Sequence, residues 1–341
     1  MGADVAVDPL GPTGPRDGPG SNGPVSLAPG QGSASGPYIG GMSASPWTAA
    51  DLPDLHGRTA IVTGANSGIG RVAALELARA GAAVTLAVRD TAKGEDAAAA
   101  MAGDVSVRQL DLADLGSVRS FADATRGPID FLIDNAGIMA TPEQRTADGF
   151  ELQIGTNHLG HFALTNLLIP QVTDRVVVVS SDLHRSGTID LEDLNWERRP
   201  YRPWTAYSQS KLANLLFVLE LERRLTESGS VVRATAAHPG YAATNLQGRT
   251  GNPIANLAGA IGNRLIAQRD TMGALPALYA ATADVPGGTY VGPGGFRHMR
   301  GHPTVNAPAR QALDTGTARR LWDLSEELTG VSWPLGPPAP G

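Results

Sequence analysis

The stretch Thr63-Gly-Ala-Asn-Ser-Gly-Ile-Gly70 decides how this chain folds. It follows residues 58–63 (RTAIVT), a short apolar run that reads as a buried strand. It precedes residues 69–80, which read as a helix closed by Gly81. Gly64 allows a tight turn, Gly68 lets backbone approach a pyrophosphate, and Gly70 lets helix and strand pack closely. The helix start then presents unpaired N–H groups and the positive end of its dipole to an anion. The spacing is G-x-x-x-G-x-G rather than the G-x-G-x-x-G of the general dinucleotide fingerprint. Without context, such a turn is as often a plain strand-to-helix connection. Its place between a strand and a helix points to a nucleotide.

The same alternation continues outward. Strands are expected at 83–88, 105–110, 129–133, 175–180 and 231–237, with a short seventh at 289–291. Helices are expected at 91–101, 115–125 and 155–170. The run 175–180 (RVVVVS) is almost wholly apolar, as a strand covered on both faces should be. Two β-α-β-α-β halves imply right-handed crossovers and an α/β Rossmann fold in a single domain. Its sheet is doubly wound, mostly parallel and seven-stranded, with helices on both faces and ligands at the carboxyl ends of the strands.

The first 46 of the 341 residues are low in large apolar side chains and rich in Gly, Pro and Ser. They cannot bury enough apolar surface to offset their ordering entropy and are expected to be disordered. Residues 47–330 form the expected single α/β domain, and 331–341 a Pro/Gly-rich tail. Lys and Arg number 27 against 33 Asp and Glu, a net charge of -6 with no basic block, which argues against nucleic acid. There is no cysteine, so disulfides, thiolate metal sites and cysteine nucleophiles are excluded. No apolar stretch approaches the ~18 residues of a membrane span, and no signal peptide is legible. A cytoplasmic protein is expected.

The end of the second strand discriminates between nucleotides. An NAD site commonly has a carboxylate there for the ribose 2′-hydroxyl. Here Val88 is followed by Arg89, whose guanidinium suits a 2′-phosphate. NADP is expected, with NAD the less favoured cofactor. Asp90 argues the other way, and Arg89 also reads as a surface charge. Asp111-Leu112 ends the third strand, where it can close over an adenine or lead into a helix N-cap. Asn135-Ala136-Gly137 follows the fourth strand, where small residues leave room for a ribose and Asn135 can tie strands together.

Tyr207 and Lys211 are four apart and share one helix face. A phenol is a poor base because its reference pKa is about 10, and a nearby ammonium is expected to lower it. Ser181, at the end of the fifth strand, can hydrogen-bond a substrate oxygen. Asn157, within the long helix, can hold a water between the lysine and solvent. In carbonyl reduction Tyr207 gives a proton and Ser181 steadies the oxygen that gains charge. A Y-x-x-x-K pair alone is usually a surface helix pair; its place after a Ser-ending strand and a glycine turn favours catalysis.

These stretches together resemble the short-chain dehydrogenase/reductase family, over residues 55–292. The resemblance implies a catalytic tetrad of Asn157, Ser181, Tyr207 and Lys211. Ser180 then points into packing. It implies a dinucleotide held by Gly64, Asn66, Ser67, Gly68, Ile69, Gly70, Arg89, Asp111, Leu112, Asn135, Ala136, Gly137, Tyr207 and Lys211. Pro239-Gly240 and Thr244 resemble the family's segment for the nicotinamide carboxamide. Residues 88–94, 156–162 and 207–214, with the long interval from Ser181 to Tyr207, resemble the retinol dehydrogenase and WW-domain oxidoreductase branch. That branch implies lipophilic alcohols and aldehydes as substrates, often with NADP. One departure is Asp134, where the family often has Asn; a local change is expected.

The remaining candidates read as follows. His158, His161, His184 and His238 lack the arrangement of a metal site, and polar packing is expected. Leu212, Leu215, Leu216 and Leu219 form an apolar stripe for the core, and the family resemblance adds a homodimer or homotetramer face beside it. Glu220, Glu222, Arg223 and Arg224 read as a solvated face. Residues 245–268 are expected to form a substrate lid, with Tyr201 and Trp204 lining the pocket. The reading is an NADP-dependent oxidoreductase on a small apolar alcohol or carbonyl. The alternative is a catalytically idle NADP-binding redox sensor or scaffold, against which the complete tetrad argues.

Overall fold

A computed structural model describes residues 46–240 and 270–336. The readings placed on residues 1–45, on Thr244 and on 245–268 lie outside the described residues. The elements that build the site are β1 (Thr59–Thr63), α1 (Gly68–Arg79), β2 (Ala83–Val88), α2 (Thr91–Ala98), β3 (Val105–Gln109), α3 (Leu115–Ala124) and β4 (Ile129–Asp134). The second half holds α4 (Leu152–Ile154), α5 (Gly160–Leu168), β5 (Val172–Val179), α6 (Pro203–Glu227), β6 (Arg233–Ala237), α7 (Asp270–Thr282), β7 (Tyr290–Pro293), β8 (Pro303–Val305) and α8 (Thr315–Thr329).

The strands lie side by side in the order β3-β2-β1-β4-β5-β6-β7-β8. Chain order reverses between β1 and β4, and this switch point opens a crevice at the carboxyl ends of those strands. All pairs are parallel except β7 with β8. The described sheet therefore has eight strands, not seven. The added strand is three residues long and begins with a proline, so it carries no alternating pattern. It sits at the sheet edge, where a missing N–H is tolerated.

Side-chain alternation along the strands explains the apolar runs. Ile61, Leu132, Val176 and Val178 enter one core cluster, and Val62, Ile133, Val177 and Val179 the other. Both faces of the sheet are thus buried under helices. The first cluster is closed by α8, whose Trp322 stacks on Phe217 at 5.6 Å and meets Phe162 edge-on at 4.9 Å. Leu212, Leu215 and Leu216 are buried beneath this cover, so the chain's own C-terminal helix fills the stripe that was expected to adjoin a partner. Past α8, Val331 is buried, and Trp333 and Leu335 pack on the same cluster, so the start of the expected tail belongs to the core. Glu220 is buried as well. Its carboxylate meets Arg223 and Arg224, and the Arg224 guanidinium lies 4.4 Å from the Trp322 ring centre. The face read as solvated is therefore partly interior.

The expected helix 155–170 is not continuous. It begins at Leu152, passes through a π turn at Gly155–Leu159 and resumes as α5. A π turn inserts an extra residue into the helical ladder and leaves no mark in apolar spacing. Asn157 lies inside it. Further along α5, Thr165 donates to Asp134 Oδ2 at 2.7 Å, while Asp134 Oδ1 finds no partner.

Asp134 is fully buried, and that burial pushes its carboxyl up to about 8, with the Thr165 bond opposing the rise. The folded chain therefore keeps a proton that the unfolded chain releases near pH 4. The stability this gives is complete below that pH and drains away as pH rises to about 8. Asp134→Asn removes both the titration and the unpaired acceptor. Urea unfolding at pH 5 and pH 8 should show the variant gaining on the wild type by roughly 1–3 kcal/mol at the higher pH. Parallel pH profiles for the two proteins would show that Asp134 is not a buried neutral acid.

Candidate active site

The nucleotide end is built where β1, β2 and β4 stop. Gly64 turns with φ 67° and lies against Ala136; a Cβ there would sit 2.9 Å from Ala136 Cα. Gly70 faces the Asn135 side chain, and a Cβ would overlap its amide. That amide donates to Thr63 O at 2.8 Å, tying β1 to the loop after β4. Ser67 occupies the N-cap position of α1 but makes no capping bond with its side chain, and it is exposed at the helix start. Asn66 is half-buried and Ile69 buried beside it. Glycines that only backbone can neighbour, ahead of a helix N-terminus, fit a pyrophosphate.

Arg89 is exposed at the end of β2. The neighbouring Asp90 is engaged elsewhere: it caps α2 by accepting from Lys93 N at 3.2 Å and pairs with Lys93 Nζ at 2.5 Å. Asp90 thus has a structural role at the start of α2. Asp111 is less available than its position suggested. Its Oδ1 accepts from Ala113 N at 3.0 Å and its N–H donates to Ser117 Oγ at 2.9 Å. Leu112 is buried, and its carbonyl packs so closely on Gly160 that no side chain fits there. The cap of α3 is Asp114.

The chemical end assembles Ser181, Tyr207 and Lys211. Ser181 follows β5 and caps the short turn Asp182–Ser186, accepting from Leu183 N at 3.3 Å. Ser180 is turned inward and donates to Lys211 O at 2.8 Å. Tyr207 and Lys211 lie in α6, both buried, with Lys211 Nζ 5.8 Å from the Tyr207 ring centre. Burial pushes the Tyr207 phenol up to about 12, against a smaller opposing effect of its hydrogen bond with Ser181. The expected lowering by the ammonium is therefore not what this arrangement gives. Lys211 is itself drawn down to about 8 by burial, and its Nζ donates to Val179 O at 3.1 Å. Desolvation outweighs the charge on the lysine.

Asn157, expected to hold a water, makes its bonds to the protein itself. Its Oδ1 accepts from Ile138 N at 2.8 Å, and its Nδ2 donates to Ile138 O and Ser210 Oγ, both at 2.9 Å. This clamp joins the loop after β4 to the turn of α6 between Tyr207 and Lys211. Gly137 is enclosed by it: a Cβ there would lie 3.3 Å from both Asn157 Oδ1 and Lys211 Nζ. Ser210, the Ile138 backbone and the Val179 carbonyl were not anticipated. Ser210 lies within the Y-S-Q-S-K stretch and had a visible signal; backbone carbonyls leave none.

Two further expectations are modified. Tyr201 meets the Trp196 ring and bonds Glu151 Oε1 at 3.0 Å and Gln153 Nε2 at 2.7 Å, so its hydroxyl anchors the loop before α6. Trp204 stands 53% exposed with its ring 6.5 Å from that of Tyr207, a wall at the mouth of the site. Gly240 follows Pro239 with φ 69°, and its N–H donates to His238 Nδ1 at 3.3 Å.

The family model for short chain dehydrogenases matches residues 58–254. The chain is 43% identical over 299 residues to retinol dehydrogenase 13 of Homo sapiens, covering 82% of this chain and 87% of that protein. It is 39% identical over 296 residues to polyprenol dehydrogenase of Mus musculus, covering 82% and 86%. A solved structure from Mycobacterium paratuberculosis is 56% identical, with a TM-score of 0.76, covering 85% of this chain and 100% of that one. With the glycine turn, the Asn157 clamp and the Ser181, Tyr207 and Lys211 cluster in one crevice, the chain belongs to the short-chain dehydrogenase family.

Proposed function

We propose that this oxidoreductase moves a hydride between NADP(H) and a lipophilic alcohol or carbonyl compound. The observation that carries the reading is the burial of Tyr207 between Ser181 and Lys211 at the switch point of the sheet. A bound nicotinamide dinucleotide supplies the hydride. Gly64, Ser67, Gly68 and the start of α1 would hold its phosphates, Arg89 its 2′-phosphate, and Asn135 to Gly137 its ribose. Small residues at those positions and the start of α1, which Ser67 leaves without a side-chain cap, support this fit.

The chain's own residues then handle the proton. In reduction, charge grows on the carbonyl oxygen. Ser181 donates a hydrogen bond to it and Tyr207 transfers its phenolic proton. A phenol held near 12 is protonated at neutral pH, so it is ready as the acid. The phenolate left behind is stabilised by the Lys211 ammonium on the same helix face. Val179 O and Gly137 position that ammonium. In oxidation the same groups run in reverse.

Relatives named for retinol and polyprenol support an isoprenoid or similarly apolar substrate. The exposed Trp204 beside Tyr207 agrees with an apolar entrance. Among the described residues, no helix is long and apolar enough to cross a membrane.

Tyr207→Phe should leave NADPH binding intact and lower kcat for aldehyde reduction by about 10²–10⁴-fold, measured by NADPH oxidation against apolar aldehydes and ketones. Undiminished turnover in the variant would remove Tyr207 from the chemistry. Failure of the wild type to turn over any carbonyl, despite stoichiometric NADPH binding, would favour the idle binding protein. Arg89→Ala should weaken NADPH by about tenfold and leave NADH binding unchanged, as titration of nucleotide fluorescence would show. Equal losses for both nucleotides would take the 2′-phosphate away from Arg89.

A further inference from the structure

His161 lies on the first turn of α5, fully buried, between the nucleotide end and the π turn that carries Asn157. Its two ring nitrogens have different partners. Nδ1 lies 3.1 Å from the backbone oxygen of Asn157, and Nε2 lies 2.9 Å from Thr63 Oγ1. A carbonyl only accepts, so Nδ1 carries the hydrogen. Thr63 Oγ1 already accepts the N–H groups of Asn135 and Ala136, each at 2.9 Å. The same hydroxyl also lies 3.4 Å from Ile133 O, and the Asn135 N–H reaches Ile133 O at 3.0 Å as well. The ring nitrogen at 2.9 Å is the nearer acceptor for the Thr63 hydrogen, which therefore points to a bare Nε2.

We propose that His161 is a positioning residue, a neutral bridge that registers the dinucleotide-binding loop against the catalytic helix. One side of the ring fixes Thr63, and through it Asn135 and Ala136. The other side fixes the Asn157 carbonyl within the π turn, whose side chain clamps Ile138 and Ser210. Burial keeps this ring neutral, pushing the imidazole down to about 3; the bond to the Asn157 oxygen opposes the fall and the nearby Lys211 charge adds to it. In the neutral ring the hydrogen on Nδ1 leaves Nε2 bare for the Thr63 hydroxyl. This role rests on the oxidoreductase reading, while the bridge itself is a property of the protein alone.

The test has two arms. In the uniformly labelled full chain, ring nitrogen shifts of His161 from pH 6 to pH 8 should show a neutral ring protonated at Nδ1. A charged ring, or a hydrogen on Nε2, overturns the proposal without reference to activity. In the second arm the bridge is halved. His161→Asn keeps a donor near Nδ1 and loses contact with Thr63, so NADPH dissociation should rise about tenfold with little change in kcat. His161→Gln reaches the Nε2 position and releases Asn157, so kcat should fall about tenfold with NADPH affinity kept. Thr63→Val combined with His161→Asn should be no worse than Thr63→Val alone, because loss of the hydroxyl already breaks its link to the ring. Additive losses, or variants that bind and turn over as the wild type does, overturn it. A wild type that binds no NADPH refutes the functional reading instead, and the nitrogen shifts still decide the bridge.

Discussion

The site depends on one hydroxyl. Thr63 ends β1 at the point where strand order reverses, and there the backbone leaves the sheet ladder. Its oxygen accepts the N–H groups of Asn135 and Ala136, while the Asn135 side chain returns a bond to Thr63 O. An unpaired buried N–H costs about 1–3 kcal/mol, so two of them satisfied by one oxygen hold the β1 and β4 ends together firmly. Gly64 and Gly70 then need no side chains, because the space beside them is already filled by Ala136 and Asn135. The phosphate-binding turn is in this sense a consequence of closing the strand ends.

The same principle extends across the crevice. α5 is pinned to the sheet by polar contacts one turn apart, His161 to Thr63 and Thr165 to Asp134. Asn157 bridges Ile138 and Ser210, and Lys211 reaches Val179 O. Each contact joins a different pair of elements, so no one of them sets the geometry alone. The burial that makes these bonds strong also governs the titratable groups. It keeps Tyr207 protonated, lowers Lys211 and holds His161 neutral. A nearby ammonium was expected to dominate at Tyr207, but its charge is itself desolvated and directed at a carbonyl.

Much of this was legible in the residues. The strand runs, the glycine turn and the Tyr207 to Lys211 spacing have local signatures, because each depends on chain-neighbouring residues. The doubly wound, mostly parallel sheet followed from alternation and handedness. What escaped notice depends on partners distant in sequence. The three-residue β8 pairs only because β7 offers an edge. The π turn keeps helical composition and reveals itself only in backbone geometry. The stripe on α6 was read as core, but its cover by Trp322, more than a hundred residues further on, was not legible. Asp90 stood as an argument against NADP, and its capping of α2 could not be read from its place after Arg89. His161 looked like polar packing because neither of its bonds can be read from the helix that carries it.

The central claim is that this crevice performs hydride transfer, and it is tested most directly by following the hydride. NADPH carrying deuterium at the transferring carbon of its nicotinamide should be mixed with the purified chain and long apolar aldehydes, and the alcohols examined by mass spectrometry. The account predicts one deuterium on the carbinol carbon, with a slower single-turnover rate than with ordinary NADPH. NADPH bound one per chain, with no deuterium in any alcohol, would contradict it.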